Sequence, residues 1–187
     1  MNDFPLQETS APADAAGPLE IPALWQMAAD MAADAHAGQT IRSTRIPYIA
    51  HPVRVAMILA SVFGHAGDEA LAAAYLHDTL EKTKLPQEKI LGRFGPRVEQ
   101  MVAMLSKNRN GPAKEYWQRL EGADWEIRLV KIADAFDHLD CPPDELSRRL
   151  KSAKKALALA FSDEPPIVRA RAALKAAIRQ RVLSAKE

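Results

Sequence analysis

The feature that most limits how this chain can fold is the period of its apolar residues. In DWEIRLVKIADAFDHL, residues 124–139, they fall at Ile127, Val130, Ile132, Ala133 and Phe136, the spacing of a helix with one buried face. Ala23, Leu24, Met27, Ala28 and Met31 repeat that spacing near the start. No segment shows the apolar–polar alternation of a half-buried strand. Aromatic residues make up only 6% of the chain and alanine is abundant, which suits close-packed helices better than a sandwich of sheets. The expected fold class is all-α, a helical bundle.

Breakers and caps divide the chain into expected helices. The first runs from near Ile21-Pro22 to about Ala37, and the aperiodic GQTIRSTRIP, 38–47, reads as a loop. Helices follow at 53–64, ended by Gly64, and at 69–80, with Asp68 as its cap. A short helix, 87–94, ends at Gly95, and Pro96 opens another that reaches about Ser106. Further helices are expected at 113–121, 124–139, 144–161 and 165–184. A length of 187 residues suits one domain with a substantial core. Residues 1–19, rich in Ala, Pro and small polar residues, read as a flexible arm, 20–143 as the core, and 144–187 as basic helices packed on it.

The net charge of +1 hides an asymmetry, because the first Lys or Arg is Arg42 while the region after Arg148 is dense in both. A solvated helix face explains that region better than a nucleic-acid surface. The single cysteine, Cys141, leaves no internal disulfide and fits a reducing compartment, where it is expected to be structural. The acidic N-terminal stretch lacks the charge and apolar run of a secretory signal, and no apolar run approaches the roughly 18 residues of a membrane span. A cytoplasmic protein without a membrane partner is expected. Oligomeric state is not legible.

The chemistry narrows by exclusion. Glycine-rich phosphate loops, HExxH and paired-cysteine motifs are absent. What remains is His51 in PYIAHP, the adjacent His77 and Asp78 in AYLHDTLEKT, and Asp134 inside the apolar VKIADAF. Each has a plainer reading: a satisfied core histidine, or an acid paired with an arginine. Together they form a mixed nitrogen–oxygen set suited to Mn²⁺, Fe²⁺, Co²⁺ or Zn²⁺. Neighbours on a helix point about 100° apart, so His77 and Asp78 converge only on a cleft bordered by several helices.

Five ordered segments carry a resemblance: AHAGQTIRSTRIPYIAHP (35–52), AYLHDTLEKT (74–83), FGPRVEQMV (94–102), LSKN (105–108) and RLVKIADAFDHL (128–139). They resemble the HD-domain hydrolases of the RelA/SpoT type, and in particular the stand-alone small alarmone hydrolases, over roughly residues 21–140. The resemblance implies Mn²⁺-dependent removal of the 3′-pyrophosphate of (p)ppGpp, without a synthetase activity in a chain of this length. It assigns the metal to His51, His77, Asp78 and Asp134. Glu81, one turn beyond Asp78, is positioned to orient or deprotonate a water. Glu81 and Lys82 are the expected catalytic pair, and Arg42, Ser43, Lys107 and His138 the expected substrate contacts. Arg45 and Arg128 read as exposed solubilising charge and His65 as a surface loop residue. His36 is expected to brace the first helix, and Tyr48 and Pro52 to set the turn that aims His51.

The chain departs from the family pattern in three places. Lys82 stands where a second acid is usual, Ile41-Arg42 where Arg-Lys is usual, and His138 where an Asn is usual. These changes leave open an adenosine alarmone or another nucleotide as substrate, or a nucleotide-binding regulator without turnover.

Overall fold

The computed structural model describes residues 23–42, 44–108 and 111–185. The expected arm, 1–19, and the candidate Ser43 lie outside the described residues. In chain order the helices are α1 (Leu24–Ala35), α2 (Ala50–Met57), α3 (Asp68–Leu76), α4 (Thr79–Lys82), α5 (Gln87–Leu105), α6 (Ala113–Glu121), α7 (Trp125–Asp137), α8 (Pro143–Ala158) and α9 (Pro165–Ser184). A π-helical turn, Ile58–Val62, continues α2. Among the described residues there is no strand, only an isolated bridge between Thr40 and Pro47.

The core forms around α3 and α7. Ala70, Ala72, Ala73 and Ala74 of α3 are fully buried, and their small side chains let α1, α2 and α5 approach closely. Helix α7 is buried from Ile127 to Ala135 and packs against α2, α8 and α9. Asp124 caps it by accepting from the backbone N–H groups of Glu126 and Ile127 at 3.0 and 3.1 Å, as its sequence position predicts.

Local differences from the expected boundaries have physical reasons. Helix α2 begins at Ala50, so Pro52 occupies its first turn, where a missing N–H breaks no ladder bond. Gly67, not Asp68, holds the N-cap position of α3; Asp68 lies in the first turn, where its charge still favours the helix dipole. The expected helix 69–80 is broken at His77-Asp78. There the Thr79 hydroxyl donates to the Leu76 carbonyl at 2.7 Å, and Asp78 takes φ −100° and ψ −6°. Gly95, at φ 79°, kinks α5 between the two helices expected there.

Several basic residues expected to be solvated are ties. Arg169 donates to the Phe63 carbonyl at 2.6 Å, Arg171 to Ala160 at 2.5 Å, and Arg181 to Cys141 at 2.8 Å, fastening α9 to the rest of the molecule. Arg128 is buried rather than exposed. It donates to the Leu159 carbonyl at 3.0 Å and stacks on the Phe161 ring at 3.8 Å, so it links α7 to the segment after α8. Among the described residues, no helix is long and apolar enough to cross a membrane.

Candidate active site

The break between α3 and α4 creates the site. It turns His77 and Asp78 toward one point, which His51 reaches from the first turn of α2 and Asp134 from the last turn of α7. His51 Nε2 lies 3.5 Å from Asp78 Oδ2 and 3.3 Å from Asp134 Oδ1. His77 Nε2 lies 3.3 and 3.8 Å from the same two oxygens. Ligand atoms bonded at about 2.0–2.3 Å to one ion are spaced in this way.

Protonation supports the same reading. His77 Nδ1 faces the Ala74 carbonyl at 2.7 Å, and a carbonyl only accepts, so Nδ1 carries the proton. His51 Nδ1 faces Asp137 Oδ2 at 2.7 Å, and Arg54 in turn holds both oxygens of Asp137. Both Nε2 atoms are left buried without a hydrogen-bond partner. Two orphaned imidazole nitrogens facing two carboxylates fit a divalent cation.

The electrostatics show the carboxylates competing for positive charge. Burial works to lower the pKa of His51, but Asp134, Asp137 and Asp78 together carry it up to about 10. Burial also works against the charge on Asp78 and Asp134, yet both stay well below the usual carboxylate range. His77, His51 and Lys82 hold Asp78 there, and Lys131 with His138 holds Asp134. The two carboxylates draw positive charge to this point, whether a proton on His51 or the ammonium groups of Lys82 and Lys131.

The surrounding cleft measures about 410 Å³. Its wall includes Arg42, Glu81, Lys82, Lys107 and His138 of the expected set. Glu81 accepts from the Lys107 backbone N–H at 3.1 Å. His138 lies against Asp134, its Nδ1 2.8 Å from Oδ1, and its ring is close enough to His51 to belong to a second triad of possible ligands. Arg42 is 80% exposed at the rim and makes a 3.5 Å contact with Glu145 of α8. Arg45 is exposed and outside the cleft lining.

His65 is paired with Glu126 at 2.9 Å and packs edge-on against Trp125. His36 caps α1, is held by Gln39 and packs on Tyr48. Tyr48 does more than shape a turn: its hydroxyl donates to Asp78 Oδ2 at 2.5 Å. Burial first and Asp78 second raise its pKa, so it remains a donor.

Sequence reasoning missed Asp137 and Arg54, which orient His51, and Lys131, whose Nζ lies 2.5 Å from Asp134 Oδ2. It also missed Arg148 and Arg149, which bring α8 into the cleft. Lys131 and Asp137 carried a usable signal: each is a charged residue three positions from Asp134 inside an apolar helix.

A family model described as HD domain matches residues 28–156. A relative from Haemophilus influenzae, named guanosine-3′,5′-bis(diphosphate) 3′-pyrophosphohydrolase, is 46% identical over 114 residues, 56% of this chain and 16% of its own length. The chain thus spans about a sixth of that bacterial relative. The MESH1 protein of Xenopus tropicalis, which bears the same enzyme name, is 32% identical over 136 residues, 68% of this chain and 76% of its own. A solved structure is described as a metazoan ortholog of SpoT that hydrolyzes ppGpp. It superposes with a TM-score of 0.74 at 22% identity, over 92% of this chain and 99% of that one, a likeness of fold. The match across residues 28–156 makes this chain a member of the HD-domain family.

Proposed function

We propose that this protein hydrolyses the 3′-pyrophosphate of (p)ppGpp or a close nucleotide analogue, giving the 5′-di- or triphosphate nucleoside and pyrophosphate. The observation that carries the reading is the pair of orphaned Nε2 atoms of His51 and His77, turned toward Asp78 and Asp134 inside a cleft walled by cations. The names borne by the relatives point to the same substrate.

In this reading His51, His77, Asp78 and Asp134 hold a divalent cation, Mn²⁺ by analogy with the family. The cation supplies Lewis-acid activation of water and of a phosphoryl oxygen. Glu81, on the same wall, takes the proton of the attacking water at its carboxylate. Attack at the phosphorus attached to the 3′-oxygen breaks that P–O bond, and the 3′-oxygen leaves with a proton. Lys107, Lys131, Arg148 and Arg149 face the phosphate charge, and Arg42 closes the rim. Helix α8 thereby completes a site otherwise built from the 20–143 core. A nucleotide substrate and the lone thiol of Cys141 suit the cytoplasm.

A second reading, nucleotide binding without turnover, draws on one observation: Lys82 occupies the position next to Asp78 with its ammonium 2.7 Å from Oδ2. The test is a Mn²⁺-supplemented assay of purified protein against ppGpp, pppGpp and ppApp, with identification of products. Release of pyrophosphate is expected. Metal-loaded protein inert on all three would overturn the hydrolase reading, and release of orthophosphate would assign a different phosphohydrolase chemistry.

A further inference from the structure

The two carboxylates of the cage are neutralised in different ways. Asp134 keeps its lysine off the oxygen that faces the cage: Oδ2 meets Lys131 at 2.5 Å, while Oδ1 faces His51 Nε2 at 3.3 Å, His77 Nε2 at 3.8 Å and His138 Nδ1 at 2.8 Å. Asp78 has no such separation. The oxygen facing His51 and His77 at 3.5 and 3.3 Å is Oδ2. That same Oδ2 lies 2.7 Å from Lys82 Nζ and 2.5 Å from the Tyr48 hydroxyl. Lys82 stands on α4, four residues beyond Asp78, with its Nζ also 4.9 Å from the centre of the Tyr48 ring. Its side chain is 35% exposed at the cleft wall, so the ammonium has solvent to move into.

We propose that Lys82 is a resident counter-ion of the cage that weakens its hold on a divalent cation, by occupying the ligand oxygen of Asp78. This rests on reading the cage as a divalent-metal site. Two effects act in the same direction. A cation arriving at Asp78 Oδ2 must either displace the ammonium or stay within a few ångströms of it, and like charges in a poorly solvated cleft repel strongly. Lys82 also stabilises the metal-free protein, because Asp78 is nearly buried, with only 9% of its side chain exposed, and a buried carboxylate that loses its partner is costly. An acid at this position would do the opposite on both counts. Lys82 therefore sets metal affinity, a role separate from any contact with substrate phosphate.

The test compares wild type with Lys82→Met, Lys82→Gln and Lys82→Arg by titration with Mn²⁺, reading free Mn²⁺ by electron paramagnetic resonance, and by thermal unfolding with and without Mn²⁺. No substrate is present, so turnover does not enter. Lys82→Met and Lys82→Gln should bind Mn²⁺ tighter by about tenfold or more, the scale expected for removing one close charge. Their metal-free forms should melt below wild type, and the Mn²⁺-induced rise in Tm should be larger than in wild type. Lys82→Arg, which keeps the charge, should stay near wild-type affinity. If wild type binds Mn²⁺ and the two neutral variants bind it no more tightly, the inference is overturned while the metal site stands. If none of the four proteins binds Mn²⁺, Co²⁺ or Zn²⁺, the metal reading and this inference fall together.

Discussion

Asp137 holds His51 from behind. Its Oδ2 lies 2.7 Å from His51 Nδ1, while Arg54 Nε meets Oδ1 at 2.6 Å and Nη2 meets Oδ2 at 2.9 Å. A carboxylate on Nδ1 fixes the ring and its tautomer and leaves Nε2 free to act as a ligand. Replacing Asp137 with Ala removes that support without touching a proposed ligand. Mn²⁺ affinity measured by calorimetry should fall about 10–100-fold. Wild-type affinity in this variant would mean that packing alone orients His51.

The ligand set makes a sharper prediction. His51→Ala or Asp134→Ala should lose bound metal and pyrophosphate release together, while circular dichroism still reports a helical protein. His51→Ala leaves the apolar core of α3 and α7 intact, whereas Asp134→Ala also strands the buried Lys131 ammonium and should melt below wild type while staying helical. Retention of stoichiometric metal by either variant would remove that residue from the ligand set.

Glu81 separates binding from chemistry. It lines the cleft and accepts from the Lys107 backbone. Glu81→Ala should retain Mn²⁺ at wild-type affinity while pyrophosphate release drops by about 10²–10⁴. A rate within about threefold of wild type, roughly 0.6 kcal/mol, would place the base elsewhere.

Arg42 tests the rim. It is 80% exposed and its contact with Glu145 is long at 3.5 Å, so removing it costs the fold little. Any loss in Arg42→Ala should therefore appear in kcat/KM on the best substrate, at about 1–3 kcal/mol for a charge-assisted contact. Unchanged kcat/KM would make Arg42 a surface charge.

Asp124 links the cap of α7 to pH. Burial works to raise its carboxyl, but Arg97 and the backbone N–H groups of Ile127 and Glu126 hold it below the usual carboxylate range. A carboxyl whose pKa is lower in the folded state adds stability that is fully present above the unfolded pKa of about 3.9. That stability is lost as pH falls through the folded value. Asp124→Ala should cost about 1 kcal/mol in urea unfolding at neutral pH. The gap from wild type should shrink on acidification, and a gap independent of pH would show that the carboxylate charge is not what stabilises the cap.

The helical class, the cap at Asp124 and the break at Gly95 ahead of Pro96 were legible in the sequence alone, whereas His51, His77, Asp78 and Asp134 were only candidates, drawn from residue chemistry and the resemblance to the HD-domain hydrolases. These are short-range properties: apolar period, backbone preference and residue chemistry act within a turn or two. Even there it drew one helix through His77-Asp78, because a run of alanine, leucine and tyrosine gives no local signal for the break on which convergence depends. Which charges meet depends on how the helices pack. His51 and Asp137 are 86 positions apart, Tyr48 and Asp78 are 30, and Arg169 and Phe63 are 106. That packing turned Arg128 into an internal tie, brought Arg148 and Arg149 of α8 to the cleft, and laid Lys82 on Oδ2 of Asp78. A buried charge takes whatever partner the packed helices bring within a few ångströms, and that distance is a property of the fold rather than of any local stretch of chain.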